Sequence, residues 1–435
     1  MYLRIKFGAG PFAAQSQSVF LLEVSLTHFV FHTGFPWVAG QIVNEGVSEG
    51  NSGVFRVVPF QKLPQLVVKD LTNDESAPTM EGLKKARYPF SMLDEDLLCP
   101  IKTFAPEVRE GSTVPTPVLI LQANFIRGGL LLTINAVHRT VDITGQVHMI
   151  SLLSKACRNE PFTNEEVTNG NLDRRNIIPL LDEDWDADAQ PSVVTTSTSP
   201  AAPAKKSASP TPVRCAWACF SFSSASVAQL KTNATSTASS SSTFVSSDDA
   251  LCAMIWQAIA RAKLARLDPA TESVFTRIVE IRRFMGIPKE FPGNIVTQTM
   301  NNSTLQEVTS QTIGDVASQL RSKLDPESLK HTFQANATRQ ARMQDKAVKH
   351  AGPDRSNYIG ISSWTKADCY DFDFNLGLGK PEAVRRPKFT PFVGTVYLSP
   401  KAPDGEIVAG MCLREDEMES LRVDEEFLKY GEYIG

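Results

Sequence analysis

The fold turns on residues 130–142, Leu130-Leu131-Leu132-Thr133-Ile134-Asn135-Ala136-Val137-His138-Arg139-Thr140-Val141-Asp142. The mostly apolar run reads as a buried strand that delivers a histidine at its end. A strand end can hold an imidazole still, close to an apolar pocket. A general base needs those conditions to take a proton from an alcohol or an amine. Asp142, four residues on, can brace the backbone or the ring without reacting. His-x-x-x-Asp alone arises often by chance. Its weight here comes from a segment far down the chain, Asp373-Phe374-Asn375-Leu376-Gly377-Leu378-Gly379-Lys380-Pro381.

Working outward, residues 117–125 form a second apolar run, and Arg127-Gly128-Gly129 predicts a hairpin turn between the two strands. Downstream, Ile143, Val147, Ile150, Leu153 and Ala156 recur at threes and fours. That spacing predicts a helix over 142–158 with one buried face. His148 falls in this helix and reads as structural. Upstream, residues 35–40, 53–58 and 66–70 read as short strands and turns.

Residues 191–212 are rich in Ser, Thr, Pro and Ala. They hold too little apolar surface to offset the cost of ordering, so they read as a flexible linker stiffened by proline. The acidic stretch before them is a solvated face. Past the linker, 216–223 reads as a strand, and Lys231 sits in a polar helix. Ser246-Ser247-Asp248-Asp249 is an N-terminal cap for a helix running to 266, with Ala250, Met254, Ile255, Ala258, Ile259 and Ala262 as its buried stripe. Strands are expected at 275–283, 358–363, 392–398 and 407–413. A turn is expected at 292–294, and helix over 308–345 and 416–430. No Gly-x-Gly-x-x-Gly joins a strand to a helix, so a dinucleotide-binding fold is not supported.

A chain of 435 residues exceeds a single core, so two domains are expected. Apolar content of 42% and charged content of 21% are those of a soluble globular protein. A net charge of −4 argues against nucleic acid or an anionic membrane as partner. No apolar run is long enough for a membrane span. The seven cysteines are odd in number and contain no Cys-x-x-Cys. Neither a disulfide scaffold nor a zinc site is expected, and a reducing, cytoplasmic setting fits. Cys215 and Cys219 read as buried small side chains. Arg4 and Lys6 ahead of apolar residues 19–31 loosely imitate a secretion signal, but Glu23 and His28 interrupt the run.

Taken together, His138-x-x-x-Asp142 and Asp373-Phe374 with Gly377-Leu378-Gly379 resemble the paired HxxxD and DFGWG motifs of the BAHD acyltransferases. Four further segments resemble the family's fungal trichothecene 3-O-acetyltransferase branch. They are Phe35-Pro-Trp-Val-Ala-Gly40-Gln41, Leu152-Leu-Ser-Lys-Ala-Cys-Arg-Asn-Glu160, Val245-Ser-Ser-Asp-Asp-Ala-Leu251 with Ile255-Trp256-Gln257, and Gly377 to Pro387. The resemblance runs from residue 35 to the C-terminus. It implies an α/β (α+β) fold of two similar chloramphenicol-acetyltransferase-like domains, each a mixed sheet with helices. The N-terminal domain would span 1–190, the crossover linker 191–212 and the C-terminal domain 213–435.

The resemblance also implies a reaction. Acyl-CoA and a hydroxylated small molecule enter a tunnel from opposite ends. His138 deprotonates the hydroxyl, the oxygen attacks the thioester directly, and no acyl-enzyme forms. An imidazole, titrating at about 6.5 in water, suits that task near neutrality. Asp142 would pair with Arg282 in Val279-Glu280-Ile281-Arg282, where Glu280 replaces the family's Asp. Asp373 would support the architecture. Ser362 and Trp364, in Ser362-Ser363-Trp364, are candidates for the acceptor or the oxyanion. Ser246, Ser247 and Lys231 are candidates for acetyl-CoA, with simple helix capping and a solvated lysine as the plainer readings. No metal is expected, and the protein would be a monomer.

Two departures stand out: Asn375 replaces the motif's first glycine, and residues 1–34 lack the family's opening strand and helix. They motivate a rival reading, a catalytically idle relative that binds a metabolite or partner. An N-acyltransferase is the other alternative. Condensation domains carry His-His-x-x-x-Asp-Gly, whereas Val137 and Ile143 flank the motif here, which disfavours that form of amide chemistry.

Overall fold

The computed structural model describes residues 2–6, 33–48, 50–60, 66–104, 116–182, 184–185, 214–239, 244–343 and 357–435. The expected linker, 191–212, lies outside them.

Fourteen strands are described: β1 (Tyr2–Lys6), β2 (Gln41–Ser48), β3 (Asn51–Val58), β4 (Leu66–Asp70), β5 (Leu119–Ile126), β6 (Gly129–Ala136), β7 (Cys215–Phe222), β8 (Glu272–Glu280), β9 (Val296–Thr304), β10 (Tyr358–Ser363), β11 (Pro381–Arg385), β12 (Thr395–Leu398), β13 (Ile407–Arg414) and β14 (Glu432–Tyr433). They form a five-stranded sheet in the order β11-β1-β6-β5-β4, a seven-stranded sheet in the order β14-β7-β13-β12-β10-β8-β9, and the separate hairpin β2-β3. Both large sheets mix parallel and antiparallel pairs.

The expected hairpin is β5-β6, in register from Leu119↔Ala136 to Ile126↔Gly129. Gly128 at its turn has φ +82°, a conformation that glycine adopts freely. All eight residues of β5 are buried, because the sheet is covered on both faces. The helix predicted over 142–158 is α1 (Ile143–Cys157), with Asp142 as its N-cap. Its residues Met149, Ile150, Leu152 and Leu153 pack with Leu121, Leu132 and Ile134 of the sheet.

In the second half, α2 (Ser224–Thr237) carries Lys231, and α3 (Ser247–Leu264) begins at a capping box between Ser246 and Asp249. Residues 249–260 of α3 are all buried. A helix buried on every side is the centre of a core, not a surface element. Trp256 of α3 stacks on Phe275 of β8 and donates its indole N–H to Ser273.

Three differences from the sequence reading matter. The strand expected to 283 ends at Glu280, and Arg282 opens a one-turn helix, α4 (Arg282–Met285). The segment read as helical over 308–345 is, as far as residue 343, three helices, Leu305–Ser310, α5 (Ile313–Ser322) and α6 (Pro326–Arg342), divided where Thr312 and Asp325 cap new starts. Residues 2–6, where no family-like opening was legible, form β1 between β6 and β11. Through β11, residues 381–385 of the second half complete the sheet of the first.

Candidate functional site

The site grows from the end of β6. The strand is buried up to Ile134, and His138, four residues later, is exposed. Its ring neighbour is Asn294, whose Nδ2 lies 3.3 Å from His138 Nδ1 and donates to the His138 carbonyl at 3.1 Å. Asn294 follows Pro292-Gly293, the turn expected from the sequence, but no spacing rule pointed to its role. Gly145 of α1 packs so closely on the Pro292 carbonyl that a Cβ would lie 2.0 Å from that oxygen. The turn and the helix are therefore held in contact by the absence of a side chain.

Asp142 turns away from the ring. It caps α1 by accepting from Gly145 N at 2.7 Å, and accepts from Ile295 N at 2.8 Å. Arg282 Nη2 lies 3.0 Å from one carboxylate oxygen and 2.9 Å from the other. Both residues are 2% exposed. Arg282 also donates to the carbonyls of Phe291 and Gly293, and its own N–H and Nη1 reach Glu280. The longer glutamate in place of aspartate thus still meets Arg282. This pair ties the start of α1 to the turn carrying Asn294.

Asp373 is elsewhere. Its carbonyl accepts from Ser154 and Arg158 at the far end of α1, and its carboxylate accepts from Asn375 N. Fifteen residues of helix separate that end from the His138 loop, about 22 Å at the usual rise. Asn375 has φ +53°, in the left-handed region, and Gly377 and Gly379 follow at +68° and +73°. Asparagine tolerates that region, which accounts for its occupying the motif's glycine position.

A second cluster gathers at the start of α3. Arg277 bridges Asp248 at 2.7 Å and Asp249 at 2.8 Å, Arg321 binds Asp249 and Ser246, and Ser363 donates to Asp248 at 2.6 Å. Burial works against the Asp249 carboxylate, yet the charge of Arg277 and the bonds from Ser246 prevail and hold its pKa low. The Ser246 hydroxyl is occupied by Asp249 and Arg321, the contacts of a cap. Ser247 begins the helix. Lys231 and Arg321 both lie over the ring of Phe244, which is 66% exposed. The network therefore joins Ser246, and through the Phe244 ring Lys231, to Ser363 of the Ser362-Ser363-Trp364 strand end. There, Trp364 donates its indole N–H to the Ser362 hydroxyl at 3.0 Å. The Arg386 guanidinium packs over the rings of Trp364, Phe389 and Tyr397.

Burial disfavours the thiolate of several cysteines. Burial pushes Cys219 up to about 11 and Cys369 and Cys412 up to about 12. Cys219 is buried as expected, whereas Cys215 is only partly so. Among the described residues no group of side chains could hold a metal ion, and no helix is long and apolar enough to cross a membrane.

His148 faces the interior of α1's surroundings, and burial lowers its pKa against the opposing charge of Glu290. The unfolded chain then takes up the proton first as pH falls. Stability is whole above the unfolded value of about 6.5 and declines below it. Thermal melts from pH 7.5 to 5 will show this decline, and it will be shallower in His148→Gln. Parallel curves for the two proteins would exclude His148 as the cause.

Comparison with known proteins extends these observations. Residues 96–428 match the model of the Transferase family, and residues 9–157 match that of the trichothecene 3-O-acetyltransferase-like N-terminal domain. A trichothecene 3-O-acetyltransferase of Fusarium sporotrichioides is 47% identical over 92% of this chain and 87% of its own. One of Saccharomyces cerevisiae is 42% identical over 92% and 86%. The crystal structure of the Fusarium graminearum protein complexed with coenzyme A and deoxynivalenol superposes with a TM-score of 0.91 at 41% identity, covering 100% of this chain and 95% of that one.

Proposed function

The chain belongs to the Transferase family, the BAHD acyltransferases, in its trichothecene 3-O-acetyltransferase-like branch, and we propose that it moves the acetyl group of acetyl-CoA onto a hydroxyl of a trichothecene-like sesquiterpenoid. The chain is an acyltransferase with acetyl-CoA as co-substrate. The observation that carries the site assignment is an exposed His138 at the end of a buried strand, its loop clamped by the buried Asp142–Arg282 pair.

His138 is the general base. It takes the acceptor's hydroxyl proton as the oxygen attacks the thioester carbonyl. The tetrahedral oxyanion collapses, the C–S bond breaks, and the CoA sulfur leaves with the proton returned from the imidazolium. Asp142 braces the loop and does not touch the ring. The Ser362 hydroxyl accepts from Trp364, so its own O–H is available to donate to the acceptor or the oxyanion. Lys231 and Arg321, both over the exposed Phe244 ring, suit the anionic nucleotide end of CoA, and Ser247 lies at the positive end of α3. Asp373 maintains the architecture from the far end of α1. Asn375 accommodates the motif's backbone, which removes one motive for an idle relative. The protein works as a cytoplasmic monomer, and its seven cysteines without disulfides accord with a reducing compartment.

The test is release of free thiol from acetyl-CoA with a panel of hydroxylated sesquiterpenoids, with the product resolved by mass. Acceptor-dependent thiol release and a product heavier by one acetyl group are expected. A folded protein that binds acetyl-CoA and acetylates none of them would overturn the acceptor class.

A further inference from the structure

We propose that Arg386 binds the acceptor, donating hydrogen bonds to an oxygen of its skeleton other than the reacting hydroxyl, an inference that rests on the chain acetylating an oxygenated sesquiterpenoid. Three observations converge on it. The guanidinium carbon lies 5.3 Å from the centre of the Trp364 ring, 4.9 Å from that of Phe389 and 4.3 Å from that of Tyr397. Its Nε is buried and has no hydrogen-bond partner, and among the described residues no carboxylate pairs with the group. Arg386 directly follows β11, which belongs to the sheet of the first half, whereas Trp364 ends β10 and Tyr397 lies in β12, both in the sheet of the second. The side chain therefore spans the seam between the halves. His138 lies at that seam too, since it follows β6 of the first sheet and meets Asn294 of the second half.

An arginine carries five N–H donors in the plane of its fork. Ring faces offset its charge but accept none of the in-plane bonds, so donors are left over where aromatic walls limit water. Arg386 is partly exposed, so a ligand can reach them. The surroundings say what kind of ligand. The cluster continues through Phe389 to Phe104 and Phe392, whose rings are 51% and 37% exposed, so aromatic surface runs from the strand end out to solvent. Such walls suit an apolar polycyclic skeleton. A phosphate would set two charges against one guanidinium among apolar rings, at a high cost. The neighbouring Arg385 offers no second cation, because it donates to the Val384 carbonyl and faces Glu406 at 3.9 Å. A neutral ester, ketone or hydroxyl oxygen meets the fork without that cost.

The test uses Arg386→Met and Arg386→Lys with a hydroxylated sesquiterpenoid that carries further ring oxygens, and with its analogue lacking them. Methionine keeps an apolar chain against the rings and removes the donors. It raises KM for the oxygenated acceptor about 10- to 100-fold, the usual worth of a bond to a charged group. It leaves KM for the analogue and for acetyl-CoA near the parent values. Lysine keeps the charge without the planar fork and falls between parent and methionine. The lysine variant carries the comparison alone if methionine lowers the melting temperature. Parental KM for the oxygenated acceptor in the variants, or equal losses on both acceptors, overturns the proposal. So does a loss confined to acetyl-CoA, which makes Arg386 an anchor for CoA instead. Calorimetric titration of the same compounds keeps the two readings apart. A parent that binds the oxygenated compound without acetylating it, while Arg386→Met does not bind it, defeats acetyl transfer and upholds Arg386. A parent that acetylates it beside an Arg386→Met that binds it equally well defeats only the role of Arg386. A parent that does neither defeats both.

Discussion

Replacing His138 by alanine will lower kcat about 10²- to 10⁴-fold, the usual worth of a positioned general base. The protein will remain folded, because the ring is exposed and its removal opens no cavity. In the proposed role the ring acts on the acceptor's proton in the transition state and not on bound CoA, so KM for acetyl-CoA will change little. The readout is thiol release at saturating acetyl-CoA, with the melting temperature measured in parallel. A His138→Ala protein that kept full activity would refute the assigned base. A protein that lost activity and melted early would mean that the side chain serves the fold.

Asp142→Ala will produce the opposite pattern, a loss of stability first and of activity as a consequence. The substitution strands the Arg282 guanidinium in an interior where both partners are 2% exposed. Breaking such a buried pair from one side costs about 3–5 kcal/mol. The cap on α1 and the bond to Ile295 N go with it. The melting temperature will fall by several degrees. Removing both charges, as Asp142→Ala with Arg282→Met, will cost less than the two single changes added together, because no buried charge is then left alone. Strict additivity in that cycle, or an unshifted melting temperature in Asp142→Ala, would show that the pair does not support the loop.

The contrast between these two residues shows how far the sequence could be read. The hairpin of β5 and β6, helix α1 and helix α3 were legible because each is local. An apolar run, a glycine turn, a three-four spacing or a capping sequence specifies its own backbone. Strand β9 was not legible, because its inward residues are Thr297, Thr299 and Asn301, so polar atoms stand where a hydrophobic period would show. Strand β11 is five residues long and begins with proline, too little to carry an alternation. Strand β1 gains its partners from residues more than a hundred positions away, β6 and β11.

At the site, the sequence pointed to His138, Asp142, Arg282 and Asp373 through paired motifs, and to Ser246, Ser247, Lys231, Ser362 and Trp364 through flanking segments. Spacing placed Asp142 near His138, and the resemblance, not the spacing, pointed its carboxylate at Arg282. Arg282 and two backbone N–H groups outcompete the ring for it, and only the packed structure brings them there. Asn294 carried no pattern, because a single asparagine after a Pro-Gly turn has no periodicity to betray a neighbour 156 residues away.

What the sequence determined by itself is the local elements and, through the resemblance its motifs carry, the family and its acyl-transfer chemistry. What tertiary structure alone decided is the partnering of Asn294 with His138, of Asp373 with the far end of α1, and of β11 with the sheet of the other half, whereas the Asp142–Arg282 pair was already expected from the resemblance. The reason is physical. Helix spacing and turn chemistry act over a few residues and are written in order along the chain. The closure of distant segments on one another depends on which buried polar groups find partners in three dimensions.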